Sequence, residues 1–181
     1  MKSDHDFGGL PLPELTPPPS VLIVAAPFYL AIIDDLIGGA KAMLSKAKAK
    51  VDVVEVPGAL EIPTAIRLAQ RHYEGFVALG CVIRGETTHY ETVCNDSSRG
   101  LTLLGLEGLC IGNGILTCEN MDQARVRASP DDMDKGGGAA AAALHLIHLA
   151  RRYRPSPSGE ETIQDDGDIL LAGRTGLTRT A

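Results

Sequence analysis

The densest concentration of residues able to do chemistry is Leu79-Gly80-Cys81-Val82-Ile83-Arg84-Gly85-Glu86-Thr87-Thr88-His89-Tyr90, where an apolar run gives way to a polar glycine turn and then a histidine. A run of this kind passes from a buried strand into the first turn of a helix. There the amides of Gly85, Glu86, Thr87 and Thr88 lack intrahelical partners and point outward, and with the positive end of the helix dipole they make a seat for a phosphate. His89 falls in the first turn, where the same dipole disfavours imidazolium and leaves the neutral imidazole that a general base needs. Anion binding and proton transfer would then come from one short segment. Glu86 is expected to contribute its backbone only, because a carboxylate beside a bound dianion repels it unless the side chain turns to solvent or caps the helix. Arg84 stays open between two readings, a cation for the anion and one half of a structural ion pair.

The elements that must position this segment follow from the hydrophobic pattern. Val21 to Ala25 reads as a strand, followed by a helix whose apolar face takes Ile32, Ile33, Leu36, Ile37, Ala40, Met43 and Leu44. The pairing recurs: Val51 to Val56 with a helix from about Pro63 to His72, Phe76 to Ile83 with one from about Thr87 to Leu104, and Leu109 to Leu116 with a short helix near Glu119 to Ala128. Ala139 to Tyr153 reads as a closing helix. Strands that are apolar throughout are strands covered on both faces, which predicts an α/β fold, a three-layer αβα sandwich of flavodoxin-like type around a four-stranded parallel sheet. Ligands of such sheets bind beyond the carboxyl ends of the strands. Pro27-Phe28, Gly58 to Glu61, Val82 to His89 and Asn113 to Thr117 are all expected at or just past those ends, so four loops converge on one rim.

Residues 1–20, with five prolines at Pro11, Pro13, Pro17, Pro18 and Pro19, are expected to form an extended, disordered arm, and residues 154–181, acidic and rich in Pro, Ser and Gly, a disordered tail. One domain, residues 21–153, lies between them. A formal charge of -6 argues against nucleic acid or an anionic membrane as partner. No stretch approaches a membrane span and no signal peptide is evident. Cys81, Cys94, Cys110 and Cys118 form no Cys-x-x-Cys pair and suit a reducing cytoplasm. Aromatic residues make up only 4% of the chain and Trp is absent, so a ring-binding pocket must be mostly aliphatic and Phe28 becomes conspicuous. His145 and His148 share a helix face, but without a carboxylate or thiol at ligand spacing no metal site is expected.

Three blocks carry a resemblance: Val56-Pro57-Gly58-Ala59-Leu60-Glu61-Ile62-Pro63, then Gly80 to Tyr90, then Gly114-Ile115-Leu116-Thr117-Cys118-Glu119-Asn120 with Arg127 and Lys135-Gly136. In order and spacing they resemble the 6,7-dimethyl-8-ribityllumazine synthase family, from about Val21 to Tyr153. The resemblance implies a transferase of riboflavin biosynthesis that condenses 5-amino-6-(D-ribitylamino)uracil with 3,4-dihydroxy-2-butanone 4-phosphate. It implies no cofactor and no metal. It also implies a homopentamer with active sites between subunits, which in some members assembles further into a sixty-subunit capsid. The proline-rich arm and Pro130-Asp131-Asp132 in the last connector favour a free pentamer.

The resemblance assigns proton transfer to His89 and phosphate binding to Gly85, Glu86, Thr87, Thr88 and Arg127. Phe28 would stack on the pyrimidine, Val82 and Ile83 would surround it, and backbone groups from Cys81 to Ile83 would read its polar edge. Ala59, Leu60, Glu61 and Ile62 would meet the substrate after the second strand, with Glu61 accepting from ribityl hydroxyls. Lys135 would hold substrate or neutralise charge. Two positions depart from the family: Asn113 and Leu60 replace frequent aromatics, with Asn113 expected to reach a neighbouring subunit's site. That departure keeps a second reading in view, a non-catalytic flavin or lumazine carrier on the same scaffold. A flavodoxin-like electron carrier would need a Ser/Thr-rich phosphate loop after the first strand, and Ala25-Ala26-Pro27-Phe28 offers none.

Overall fold

The computed structural model describes residues 10–153. Strands β1 (Ser20–Ala25), β2 (Lys50–Glu55), β3 (Gly75–Ile83) and β4 (Cys110–Cys118) form one sheet in the order β2-β1-β3-β4, and every pairing is parallel. Helices α1 (Leu30–Lys46), α2 (Ile62–Ala69), α3 (His89–Leu106), α4 (Met121–Ala128) and α5 (Lys135–Tyr153) complete the fold, with a 3-10 turn at Ala59–Glu61 leading into α2. The continuous apolar runs behave as their composition requires. In β1, Val21, Ile23 and Ala25 pack with α1, α4 and α5, whereas Leu22 and Val24 pack with α2 and α3. β3 divides in the same way, Val77, Leu79 and Cys81 to the first core and Phe76 and Ala78 to the second. The chain is thus a three-layer αβα sandwich of flavodoxin-like type, and its strand order reverses direction between β1 and β3, where such sheets open a crevice at their carboxyl ends.

Two strands differ from the sequence-based expectation. β2 is not covered on both faces: it is an edge strand paired only with β1, and Val53 and Val54 are 39% and 41% exposed. An apolar run reports the affinity of a strand for burial, and in one protomer an edge position leaves that affinity unmet. β4 runs to Cys118 rather than Leu116, because Thr117 and Cys118 pair with Val82 and Ile83.

The described part of the arm is not free. Leu15 is buried in the core formed with α1 and α5, Leu12 packs against it, and the Pro17 carbonyl accepts from the Arg151 guanidinium at 2.7 Å. The Lys50 N–H donates to the Pro19 carbonyl at 2.8 Å, so the prolines feed directly into the β1–β2 ladder. The expectations for residues 1–9 and for the tail at 154–181 lie outside the described residues.

Candidate functional site

Hydrogen bonds carry the sheet one residue past three of its strand ends. The Ala26 N–H donates to the Leu79 carbonyl, the Val56 N–H to the Ala25 carbonyl and the Arg84 N–H to the Cys118 carbonyl, each at 2.9 Å. The loops therefore leave from a rigid rim at the carboxyl end of the sheet.

After β1, Phe28 stands 73% exposed. Its ring meets that of Tyr29 edge-on, with centroids 5.0 Å apart at 71°, and Tyr29 in turn packs against the α1 core. Phe28 is not a core residue; its ring is largely open to solvent just past the end of β1. After β2, the 3-10 turn packs against β3 and α3. A Cβ at Gly58 would lie 2.9 Å from a Glu61 carboxylate oxygen, so the glycine is what lets Glu61 fold back over the turn. Leu60 and Glu61 are exposed, whereas Ala59 and Ile62 are buried in the α2–α3 core. The expected contact through Ile62 is corrected accordingly, since packing against the sheet removes its side chain from the rim.

Along β3, Val82 and Ile83 are half-buried, one at the edge of each core. Cys81 points inward. Burial, with a smaller contribution from nearby Cys118, pushes its thiol up to about 12. The thiolate is the reactive form, so at pH 8 only on the order of one molecule in 10⁴ carries it there. Iodoacetamide at pH 8 is expected to leave Cys81 unmodified in the folded protein and to alkylate it fully in guanidinium, as read by mass spectrometry; rapid modification of the folded protein would contradict this burial.

Gly85, Glu86, Thr87 and Thr88 form an exposed turn, and α3 begins at His89, two residues later than expected. No side chain caps α3. The His89 N–H donates to the Thr87 hydroxyl at a long 3.4 Å, and the turn amides of Gly85 to Thr88 are left to an incoming acceptor. A Cβ at Gly85 would meet nothing within 4 Å, which leaves the backbone there accessible. His89 is exposed beside this turn.

Two arginines flank the turn with different environments. Arg84 is engaged by carboxylates: it pairs with Glu91, donates from Nε to Glu119 at 2.7 Å, and lies 4.2 Å from the Tyr90 ring centroid. The hydrogen bond from its guanidinium holds the Glu91 carboxyl below the usual range, and the hydrogen bonds to Glu91 and Glu119 push the guanidinium up. Arg84 is thus the ion pair of its two readings. Arg127, in the last turn of α4, donates to the Gln123 carbonyl at 3.1 Å and, among the described residues, pairs with no carboxylate. Burial raises the Cys118 thiol, and the Arg127 charge opposes that rise. α4 itself is fixed by Asn120, whose side chain accepts from the Gln123 N–H at 3.0 Å, and by Gln123, whose side chain accepts from the Glu119 N–H at 3.0 Å.

Lys135 is exposed at the start of α5. Gly112 and Gly75 in the sheet face Ala139 and Ile147 respectively, so α5 runs antiparallel to the strands and brings Lys135 to the carboxyl-end side. Asn113 is elsewhere: it lies within β4 opposite Ala78, five residues before the strand ends, and its side chain accepts from the Ile115 N–H at 3.0 Å. Asn113 therefore lies in mid-strand, off the rim of its own sheet. One protomer places Phe28, Leu60, Glu61, Val82, Ile83, the 85–88 turn and His89 at or just past the carboxyl ends of β1, β2 and β3, with Arg127 in the last turn of α4 and Lys135 opening α5, and leaves Asn113 on an exposed sheet edge. The carboxylates that engage Arg84 escaped sequence reasoning, although Glu91, on the first turn after His89, was a legible partner.

Among the described residues, no helix is long and apolar enough to cross a membrane. The sequence matches the model of the 6,7-dimethyl-8-ribityllumazine synthase family over residues 18–151. It is 49% identical over 172 residues to the 6,7-dimethyl-8-ribityllumazine synthase of Jannaschia sp. (strain CCS1), covering 94% of both chains. Proteins of the same name from Bartonella tribocorum and Novosphingobium aromaticivorans are each 55% identical, over 77% and 73% of this chain and 95% and 96% of their own.

Proposed function

This chain belongs to the 6,7-dimethyl-8-ribityllumazine synthase family, and from that membership we propose that it joins 5-amino-6-(D-ribitylamino)uracil to 3,4-dihydroxy-2-butanone 4-phosphate in riboflavin biosynthesis. The 5-amino group adds to the ketone and loses water, giving an imine. The neighbouring C3 then loses its proton as inorganic phosphate leaves from C4, the resulting enol becomes a ketone at C3, and the ribityl-bearing nitrogen adds to that ketone and closes the second ring with loss of another water. His89 moves the protons. The open amides of the Gly85–Thr88 turn and the Arg127 guanidinium, which pairs with no carboxylate among the described residues, hold the phosphate of the substrate and receive it as it leaves, two oxygens at a time for the guanidinium. Phe28 stacks on the pyrimidine between Val82 and Ile83, with Cys81 and Ile62 contributing backbone only, and Glu61 accepts from the ribityl chain. Much of the rate comes from holding two reactive molecules in line.

The observation that carries this reading is the juxtaposition, at one strand end, of an uncapped amide turn with a histidine. Arg127→Ala is expected to raise KM for the butanone phosphate tenfold or more, about 1.4 kcal/mol of binding, and to leave KM for the pyrimidine unchanged. An unchanged KM for the phosphate substrate would remove Arg127 from the site.

The active assembly is a homopentamer in the cytoplasm, with each site completed by a neighbour. Several observations support association: Leu68 and Leu106 are 79% and 81% exposed, Val53 and Val54 of β2 are uncovered, and Asn113 is exposed on a sheet edge rather than at its own rim. Apolar surface of this kind marks an interface. The carrier reading is separated by one experiment. Purified protein mixed with both substrates is expected to generate lumazine fluorescence and stoichiometric phosphate; a carrier binds added lumazine and accelerates neither.

A further inference from the structure

We propose that Arg84 is a positioning residue that clamps the phosphate turn, the first turn of α3 and the start of α4 into one unit, and takes no part in phosphate binding itself. The inference rests on the reading of Gly85–Thr88 and Arg127 as the phosphate site. Arg84 opens the turn, and its N–H is tied to the Cys118 carbonyl at 2.9 Å. Its guanidinium reaches Glu91, two residues past His89, and Glu119, at the end of β4, while it lies over the ring of Tyr90, the residue next to His89. Glu119 in turn donates its N–H to the Gln123 side chain, and the Gln123 carbonyl accepts from Arg127. One planar cation thus links the segment bearing the amides, the segment bearing the histidine and the helix bearing Arg127.

Magnitudes decide between this role and its alternatives. All three charged side chains are 40–56% exposed, and ion pairs with that much solvent contribute about 0–1 kcal/mol to stability. The cluster is therefore a poor explanation of how the fold holds together. Nor is Arg84 a good phosphate ligand, because Glu119 on its Nε and Glu91 on its Nη1 already offset its charge, and both carboxylates would repel a dianion approaching the remaining Nη donors. What two carboxylates and a ring do achieve is to fix the direction of a planar group, and with it the three backbone segments it touches.

Opposite signs are expected for the two roles. With the clamp reading, Glu119→Gln loosens the unit and raises KM for the butanone phosphate by about threefold to tenfold, with KM for the pyrimidine unchanged. Arg84→Lys, which keeps the charge but loses the fork, moves KM in the same direction, and melting temperatures of both variants stay near that of the parent chain. If Arg84 instead binds phosphate, Glu119→Gln frees it and lowers that KM, which would overturn the proposal. No change in either variant would reduce the cluster to an ordinary surface ion pair and overturn it equally. Arg127→Ala, measured alongside, keeps the two levels apart: an unaffected KM there faults the phosphate site as a whole, whereas a raised KM there with a lowered or unmoved one in Glu119→Gln faults Arg84 alone.

Discussion

Turnover by His89→Ala is expected to fall about a hundredfold, near the lower end of what a positioned acid–base group contributes, without vanishing. His89 stands exposed at the first position of α3, beside the open turn, and so meets the requirement of reach before any question of basicity. Two considerations limit the loss. Amines and ketones condense slowly unaided, and alignment of the two substrates by Phe28, Glu61, Arg127 and the turn survives the substitution. The defect should therefore lie in kcat, with both KM values held within about twofold, since an acid–base group acts on the transition state and adds little to ground-state binding. Single-turnover absorbance of the lumazine separates the two. Wild-type kcat in His89→Ala would contradict the assignment of proton transfer, and a large rise in KM with unchanged kcat would recast His89 as a binding residue.

The largest expected loss of stability comes from Gly112→Ala, a single methyl group. Gly112 lies in β4 beneath α5, and a Cβ there would come 1.8 Å from the Ala139 carbonyl oxygen and 2.7 Å from its carbon. Both atoms belong to the helix backbone, so no rotamer change relieves the clash; α5 must lift from the sheet. Gly136 guards the other contact of α5, with a Cβ there 2.1 Å from the Leu36 carbonyl oxygen of α1. Small residues from Gly136 to Ala143 let the helix lie this close to both layers. Overpacking costs about 1–3 kcal/mol when side chains can yield, and here none can, so about 3 kcal/mol is expected. Calorimetry should show a melting temperature lower by roughly 6–12 °C. Gly38→Ala, on the exposed side of α1 with nothing within 4 Å, is the control and should be neutral or slightly stabilising. Equal melting temperatures for Gly112→Ala and Gly38→Ala would contradict the packing described for α5.

How much of this was legible in the sequence varied with the physical origin of each feature. β1 and β3 announce themselves, because a strand sandwiched between helix layers must be apolar at every position, and all but Ser20 in β1 and the last two residues of β3 are buried. The helices follow from their apolar stripes. Edge placement is not encoded locally, so Val51 to Val56 reads like a central strand although β2 pairs on one side only. Strand ends depend on partners too: Thr117 and Cys118 extend β4 only because Val82 and Ile83 lie opposite. Proline content suggests a free arm, yet Leu15 buries itself and anchors residues that composition alone would release. At the site, residue type and spacing were enough to expect a polar turn past β3 with a histidine in the first turn of the next helix, whereas Phe28 alone reads as a core residue at a strand end and only the resemblance gave it a role. They could not separate Arg84 from Arg127, which differ only in whether carboxylates from distant segments reach them, nor could they show that Ile62 turns into the core.

A crystal structure of the protein with inorganic phosphate and an unreactive pyrimidine analogue tests the arrangement most directly. The phosphate should sit against the amides of Gly85 to Thr88 with Arg127 bonded to it and Arg84 still held by Glu91 and Glu119, and the pyrimidine should lie on Phe28 with His89 within hydrogen-bond reach of the space between the two ligands. Phosphate bound away from that turn, or His89 out of reach of both ligands, would contradict the account.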